Sequence, residues 1–416
     1  MRRAALLGCI MLAGESSLIA SLQWHGFVLG NYAARLDAPN GHKPASGDFL
    51  LAEERFQLKM AASASEGQMH CFVKTDLVRD EVDSDVSVDV REVYVSFAEG
   101  PLDLSIGRQI HTWGVGDLLF INDLFPKDYA ALFSGRPMEY LKVGSSGVKA
   151  SLYGTSLSLD VVVTPFFEAD VLPSADRFFL FDPFSGLVPR VEAKPRRDLQ
   201  NTEIAARLRR SVAGFDVAAY AYRGFYRIPS TQPDSPTTPT MVSLVYPKLS
   251  SYGASAQGNA LGGVLSIEAG YHDSREDRDG SNPVIPNSQT RFLIGYQRSP
   301  WSDTIIGFQY YGEYMQRYRR YEASLPAGFP KQDRLRQVLT LRLMQSLKYQ
   351  TWRISLFTFW SPTDHDFYAI PELAHRLSDE LSLTLGANIF GGSSAATFFG
   401  QLSHNDNLYF AARYDF

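Results

Sequence analysis

From about residue 21 to Phe416 the chain falls into about eighteen short runs of alternating apolar and polar residues, and the breaks between them come in two lengths. SASEG, EGP, YGTS, SVAGF, QGNA, RSPW, KYQ and SDE follow the even-numbered runs, whereas long segments such as 37–48, 112–139, 166–200, 228–241, 273–287, 317–332 and 392–404 follow odd-numbered ones. In LSIEAGYH, Leu265, Ile267, Ala269 and Tyr271 fall on one face, and Ser266, Glu268, Gly270 and His272 on the other. A period of two is the period of a β-strand, so each run presents one apolar and one polar face. A stacked sandwich has no reason to sort short turns to one side and long loops to the other. A closed antiparallel meander does, and an even strand count returns both ends to the rim of short turns.

The apolar face needs a hydrophobic surround. In hydrocarbon every backbone polar group must be paired within the protein, which only a helix or a closed barrel achieves. No stretch of this 416-residue chain reaches the roughly 20 apolar residues of a spanning helix. The expected fold is therefore all-β: a transmembrane antiparallel β-barrel of about eighteen strands, sixteen being the alternative, with short periplasmic turns and long outer loops. Trp24, Trp301, Trp352 and Trp360 lie near run ends and suit interfacial belts. MRR followed by AALLGCIMLAG reads as a cleavable export signal over residues 1–20, leaving residues 21–416 as one barrel domain in the cell outer membrane. LLGC has too short an apolar run before Cys9 for a lipid-attachment box, and Cys71 alone remains after cleavage, so no intrachain disulfide forms. The last run places Leu408, Phe410, Tyr414 and Phe416 on the lipid face. That ending is similar to the signal by which the barrel assembly machinery recognises outer-membrane proteins, which makes this machinery, with outer-membrane lipid, an expected partner.

REVYVSFAEGPLDLSIGRQIHTWGVGDLLFINDLFPKDY, residues 91–129, resembles a segment of porin-like outer-membrane proteins that include the alginate-export-type barrels and relatives of unassigned substrate. The shared elements are Arg91-Glu92 with Tyr94, Gly107-Arg108-Gln109, Trp113-Gly114, Asp117, Asp123 and Pro126-Lys127-Asp128, with FGG at 390–392 and the final YDF. The resemblance implies a porin-like barrel and says little of the solute.

On the polar faces, Arg55, Lys59, Lys74, Glu92, Arg207, Arg209, Glu268, Arg336 and Arg342 are candidate pore-lining residues. The wider set of such charges holds slightly more bases than acids, which favours anionic solutes, although pairing between neighbouring strands would simply stiffen and hydrate the wall. Arg207, Arg209, Arg336 and Arg342 are the best candidates for solute contact, since a guanidinium holds a carboxylate or phosphate through two hydrogen bonds. The segment 112–139 is unusually apolar for a loop. It is expected to fold inward as a constriction, bringing Asp117, Asp123 and Asp128 near the lumen; docking on the wall without obstruction is the alternative. The segment 166–200, with KPRRD, reads as an outer lid or a partner site. Arg108 has the parity of the lipid face and is expected above the membrane at its strand end. Net charge is −5, so nucleic acid is not an expected partner. The histidines lack metal-ligand spacing, and neither a GxSxG elbow nor a phosphate loop is present, so no metal, cofactor or catalytic residue is expected. The function expected is a channel for hydrophilic, anionic or oligosaccharide solutes. A sleeve or scaffold for a secreted or electron-carrying partner is the second reading, and an outer-membrane hydrolase a more distant third.

Overall fold

The computed structural model describes residues 19–39, 44–64, 67–182, 184, 189–235 and 238–416. The expected export signal lies outside them apart from Ile19 and Ala20, where the first strand begins. Eighteen strands form one sheet. They are β1 (Ile19–Arg35), β2 (Phe49–Ala64), β3 (Met69–Asp80), β4 (Asp85–Glu99), β5 (Leu102–Gln109) and β6 (Ser145–Tyr153). β7 (Ser158–Thr164), β8 (Glu203–Val212), β9 (Phe215–Phe225), β10 (Lys248–Ala260), β11 (Gly263–Ser274) and β12 (Gln289–Arg298) follow. The last six are β13 (Thr304–Met315), β14 (Leu335–Leu347), β15 (Trp352–Ser361), β16 (Asp366–Arg376), β17 (Leu381–Gly392) and β18 (Asn407–Asp415). Each pairs antiparallel with the next, and β18 pairs back onto β1 from Phe27↔Asp415 to Arg35↔Asn407, so the barrel is closed. Closure leaves no unpaired sheet edge.

The short breaks are tight hairpins such as 213–214 and 261–262, the two-residue length that right-twisted strands favour. Two connections on the opposite rim, 81–84 and 362–365, are as short as turns. Two expected strands begin too early. The run read as 140–152 opens with a 3-10 turn, Met138–Leu141, and strand begins at Ser145. The run read as 242–256 merges two elements, because Pro247 has no N–H to continue a ladder. Before it, Val242–Val245 belongs to a small separate sheet, parallel to Arg190–Ala193 and antiparallel to Ser230–Pro233. That sheet ties the loops 165–202 and 226–247 together.

The outward face is apolar around the wall: Trp24, Phe56, Ile106, Ile267, Phe308, Trp360, Leu408, Phe410 and Tyr414 are all exposed there. The inward face is largely polar on β2–β4 but not throughout, and on β1 Phe27 and Leu29 are buried inside. On β12–β17, Leu293, Tyr311, Val338, Phe357, Phe359, Tyr368, Ile370 and Phe390 point inward and are buried. Their partners are Ile121, Leu132, Phe133 and Leu141 of the loop 110–144, with Phe178, Phe399 and Leu402. The barrel thus holds apolar clusters against the loop on β12–β17 and, where Trp113 and Phe125 meet Val162, Ala205, Tyr222 and Leu249, on β7–β10; burial of apolar area at about 25 cal/mol per Å² fastens the loop there.

Candidate functional site

The loop 110–144 builds the site. Its first stretch wraps over Glu268 of β11, whose side chain is 1 % exposed. The backbone N–H groups of Val115 and Asn122 donate to that carboxylate at 2.7 and 2.9 Å, and Gly116 N and Asn122 Nδ2 at 3.2 and 2.9 Å. The approach is close enough that a Cβ on Gly114 would stand 2.7 Å from Glu268 Oε1, which accounts for the glycine after Trp113. Further on, buried Asp123 receives Lys127 at 3.3 Å and Lys142 at closer range, stapling the loop to itself. Helix α1 (Tyr129–Ser134) follows, capped by Asp128 Oδ1, which accepts from Ala131 N at 2.7 Å. Burial raises the Asp128 pKa, with Arg136 opposing. Gly135, at φ 81°, ends the helix. Tyr368 Oη and Asn407 Nδ2 donate to the carbonyls of Leu132 and Phe133 at 3.1 and 3.0 Å, and Asn31 Nδ2 to that of Gly135 at 3.2 Å. The loop therefore spans the lumen and reaches the strands that close the barrel.

Each residue expected along the pore faces the interior, but most are engaged. Arg55 meets Asp76 at 2.6 Å and Glu53 at 3.2 Å, and Lys74 meets Glu139 at 3.1 Å. Glu92 accepts from Ile110 N at 3.0 Å. Arg207 and Arg209 share Asp160, at 2.9 and 3.2 Å. Arg336 pairs with Asp364 at 2.6 Å, and Arg342 with Asp117 of the loop at 2.5 Å. Glu268 holds the loop, and Lys59 lines open space near the turn rim. Of the loop acids, Asp117 is partly exposed, Asp123 is buried within the loop and Asp128 lines an open chamber. Leu408, Phe410, Tyr414 and Phe416 are exposed on the outer surface, with the Phe416 ring stacked on Phe56. Arg108 sits one residue before the end of β5 and pairs at 3.0 Å with Glu168 of the loop 165–202.

Away from these clusters, open space remains along β2–β5 and beside β18, β1 and β2. A chamber of about 250 Å³ on the loop side is lined by Glu53, Asp80, Asp83, Asp85, Asp89 and Asp128 against Arg55, Arg91, Arg108, Arg136 and Lys142. Arg177, reaching over from the loop 165–202, ion-pairs with Asp80 at 2.5 Å and also with Asp83. A second chamber of about 350 Å³ on the turn side is lined by His25, Phe27, Gln57, Lys59, Asp379, Glu380, Arg413 and Asp415. Successive inward positions of β2 therefore divide between the chambers, Glu53 and Arg55 in one, Gln57 and Lys59 in the other.

Between them stands the 3-10 turn Met138–Leu141, which sequence reasoning passed over. The Tyr140 ring lies between two guanidinium groups, Arg55 at 4.3 Å and Arg91 at 4.1 Å. Its hydroxyl is 3.4 Å from Gln57 Nε2. Glu139 bridges Lys74 at 3.1 Å and Arg413 at 2.9 Å. Burial works against ionisation of Glu139, but these two cations outweigh it and hold its carboxyl below the usual range. Arg91 Nη2 donates to the carbonyls of Glu139 and Lys142 at 2.7 and 3.0 Å. No local pattern marks Glu139, since Arg413 lies 274 residues further along the chain.

Solved structures with this architecture include Pseudomonas aeruginosa OccK2 (OpdF) in complex with glucuronate, at TM-score 0.58 and 9 % identity over 96 % of this chain and 99 % of that one. Acinetobacter baumannii OccAB3 matches at TM-score 0.57 and 10 % identity, over 96 % and 100 % of the two chains. Pseudomonas aeruginosa OccK11 (OpdR) matches at 0.55 and 10 %, over 96 % and 97 %. These are outer-membrane porins, and at such identities the likeness is one of fold. No curated protein sequence matches the chain. A family model spans nearly all of it, residues 37–416, and the chain accordingly belongs to the family described as proteins of unknown function (DUF1302), built here on a porin-fold barrel.

Proposed function

We propose that the protein is an outer-membrane channel for small hydrophilic solutes that carry an anionic group. The observation that carries this reading is the partial filling of the lumen. The loop 110–144 is fastened by apolar clusters to β7–β10 and β12–β17, and two charged chambers remain, one along β2–β5 and the other beside β18, β1 and β2. A threaded partner protein would need the volume that the loop and its core occupy, which argues against a sleeve. In the loop-side chamber six acids face five bases, and Arg177 evens the balance, so the mouth does not set the sign of the preferred ion. Around the turn between the chambers Lys74, Arg413, Arg55 and Arg91 stand against Glu139, Asp76 and Asp415, a small basic excess that supports the anionic reading. In close quarters such side-chain fields set selectivity. Glucuronate, bound in OccK2 on the same fold, is a solute of this class. On this reading the short turns face the periplasm, residues 1–20 direct export, and the assembly machinery recognises Leu408, Phe410, Tyr414 and Phe416.

Single-channel recording of the refolded protein in planar bilayers, under a salt gradient, tests the proposal. Discrete conductance steps with a reversal potential on the anion side are expected. A folded, heat-modifiable barrel that never conducts, or one that prefers cations, overturns it.

A further inference from the structure

The two chambers are separated by a single turn of chain, and the way that turn is held suggests what moves it. Lys74 and Arg413 belong to wall strands β3 and β18, whereas the carboxylate between them, Glu139, belongs to the loop. Arg413 keeps a second partner, Asp415 at 2.7 Å, but Glu139 is the one carboxylate paired with Lys74 among the described residues. Beside the turn, Arg91 Nη1 and Gln57 Oε1 are buried with no hydrogen-bond partner among the described residues. The wall thus carries a basic site, and the loop fills it with a carboxylate of its own.

We infer that Lys74 and Arg413 form a carboxylate site on the permeation path, that Glu139 is its resident occupant, and that a solute carboxylate opens the channel by taking the place of Glu139. The inference rests on the channel reading above. Once Glu139 is displaced, only its side chain has to swing aside, because the turn stays tethered through Arg91, the Tyr140 ring between two cations and buried Leu141. The rest of the loop stays fastened to the far wall. A neutral solute of the same size has no means of competing for the two cations. Tyr140 and Gln57 then meet the solute's hydroxyl groups as it passes from the loop-side chamber into the turn-side chamber, which makes them positioning residues.

The test uses the full chain in planar bilayers, with gluconate as the anionic probe and glucose as the neutral one, each titrated to tens of millimolar. In the wild type, gluconate is expected to raise the open probability at least threefold and glucose to leave it unchanged. Glu139→Gln, which keeps the shape of the side chain, is expected to be open without gluconate and insensitive to it. Lys74→Gln is expected to lose the gluconate response, and Tyr140→Ala to raise conductance without abolishing it. Heat-modifiable migration confirms that each variant is a folded barrel. A wild type that conducts equally with and without gluconate overturns the displacement while leaving the channel intact. So does a Glu139→Gln variant that matches the wild type. Silence of every folded variant removes the channel reading and this inference together.

Discussion

Glu268→Ala offers the most direct test of how the loop 110–144 is held. The carboxylate is buried on β11 and takes four N–H donors from the loop, three of them backbone. Truncation leaves those donors facing a dry space. A buried donor without a partner costs about 1–3 kcal/mol, and water entering the vacated volume recovers part of it, so about 3–6 kcal/mol against the docked conformation is expected. Each 1.4 kcal/mol is about a factor of ten, so the ratio of docked to undocked loop should fall by at least about 100-fold. The barrel should survive, because β11 remains paired with β10 and β12 along its length. The aromatic cluster around Phe133 and Tyr368 also stays in place, confining the loosening to roughly residues 113–122. Chymotrypsin added to proteoliposomes should then cut near Trp113 or Phe120 in the variant and spare the wild type, and single-channel traces should become noisy. Glu268→Gln, which retains one acceptor oxygen, should lie between the two. A variant that is as protease-resistant and as quiet as the wild type would refute the claim that this carboxylate anchors the loop.

Acid titration probes Glu139. Its folded pKa lies below the ordinary glutamate value, so its ion pairs contribute above that value and are lost as pH falls through the folded pKa. The conductance difference between wild type and Glu139→Gln should therefore persist through the ordinary glutamate range, about pH 4.3, and be lost only below it. Gly135→Ala should lower the thermal stability of the folded barrel by about 2–4 kcal/mol, combining a left-handed backbone with overpacking. The added Cβ would lie 2.4 Å from the Tyr409 ring, and gel migration after graded heating measures the loss. Arg177→Ala should shift the reversal potential toward cations, because Asp80 and Asp83 lose their common partner at the mouth.

The strands were legible because the lipid face imposes a strict period of two, and turns with two free residues punctuate it. The inward face obeys no such rule. On β15, Ile354 and Trp360 face outward and Phe357 and Phe359 inward, so both faces are apolar and alternation disappears. An aromatic residue on the hydrophilic parity is itself the available signal that something apolar fills the barrel at that level. The inward course of the loop could be anticipated from its own apolar composition. Its pairings could not: Asp117 with Arg342 and Glu139 with Arg413 join residues more than 200 positions apart. The charges read as a pore wall are at interior positions, yet Glu268 holds chain; Glu139 and Tyr140 straddle the boundary read between loop and strand, and Arg91 stood out only through the family resemblance.

Helix α1 and the turns around it bear on how such a chain comes together. Asn31 on the first strand and Asn407 on the last each donate to backbone at the end of α1, and Phe27, Leu29 and Ala411 form the surface under Ala131 and Tyr140. The floor on which this helix rests does not exist until β18 has paired with β1. The loop precedes β18 in the sequence and must wait for it, and its docking then works as a clasp across the seam. A barrel caught with its seam open would carry an undocked, apolar loop, and a nascent molecule would be told apart from a finished one by whether that clasp is shut.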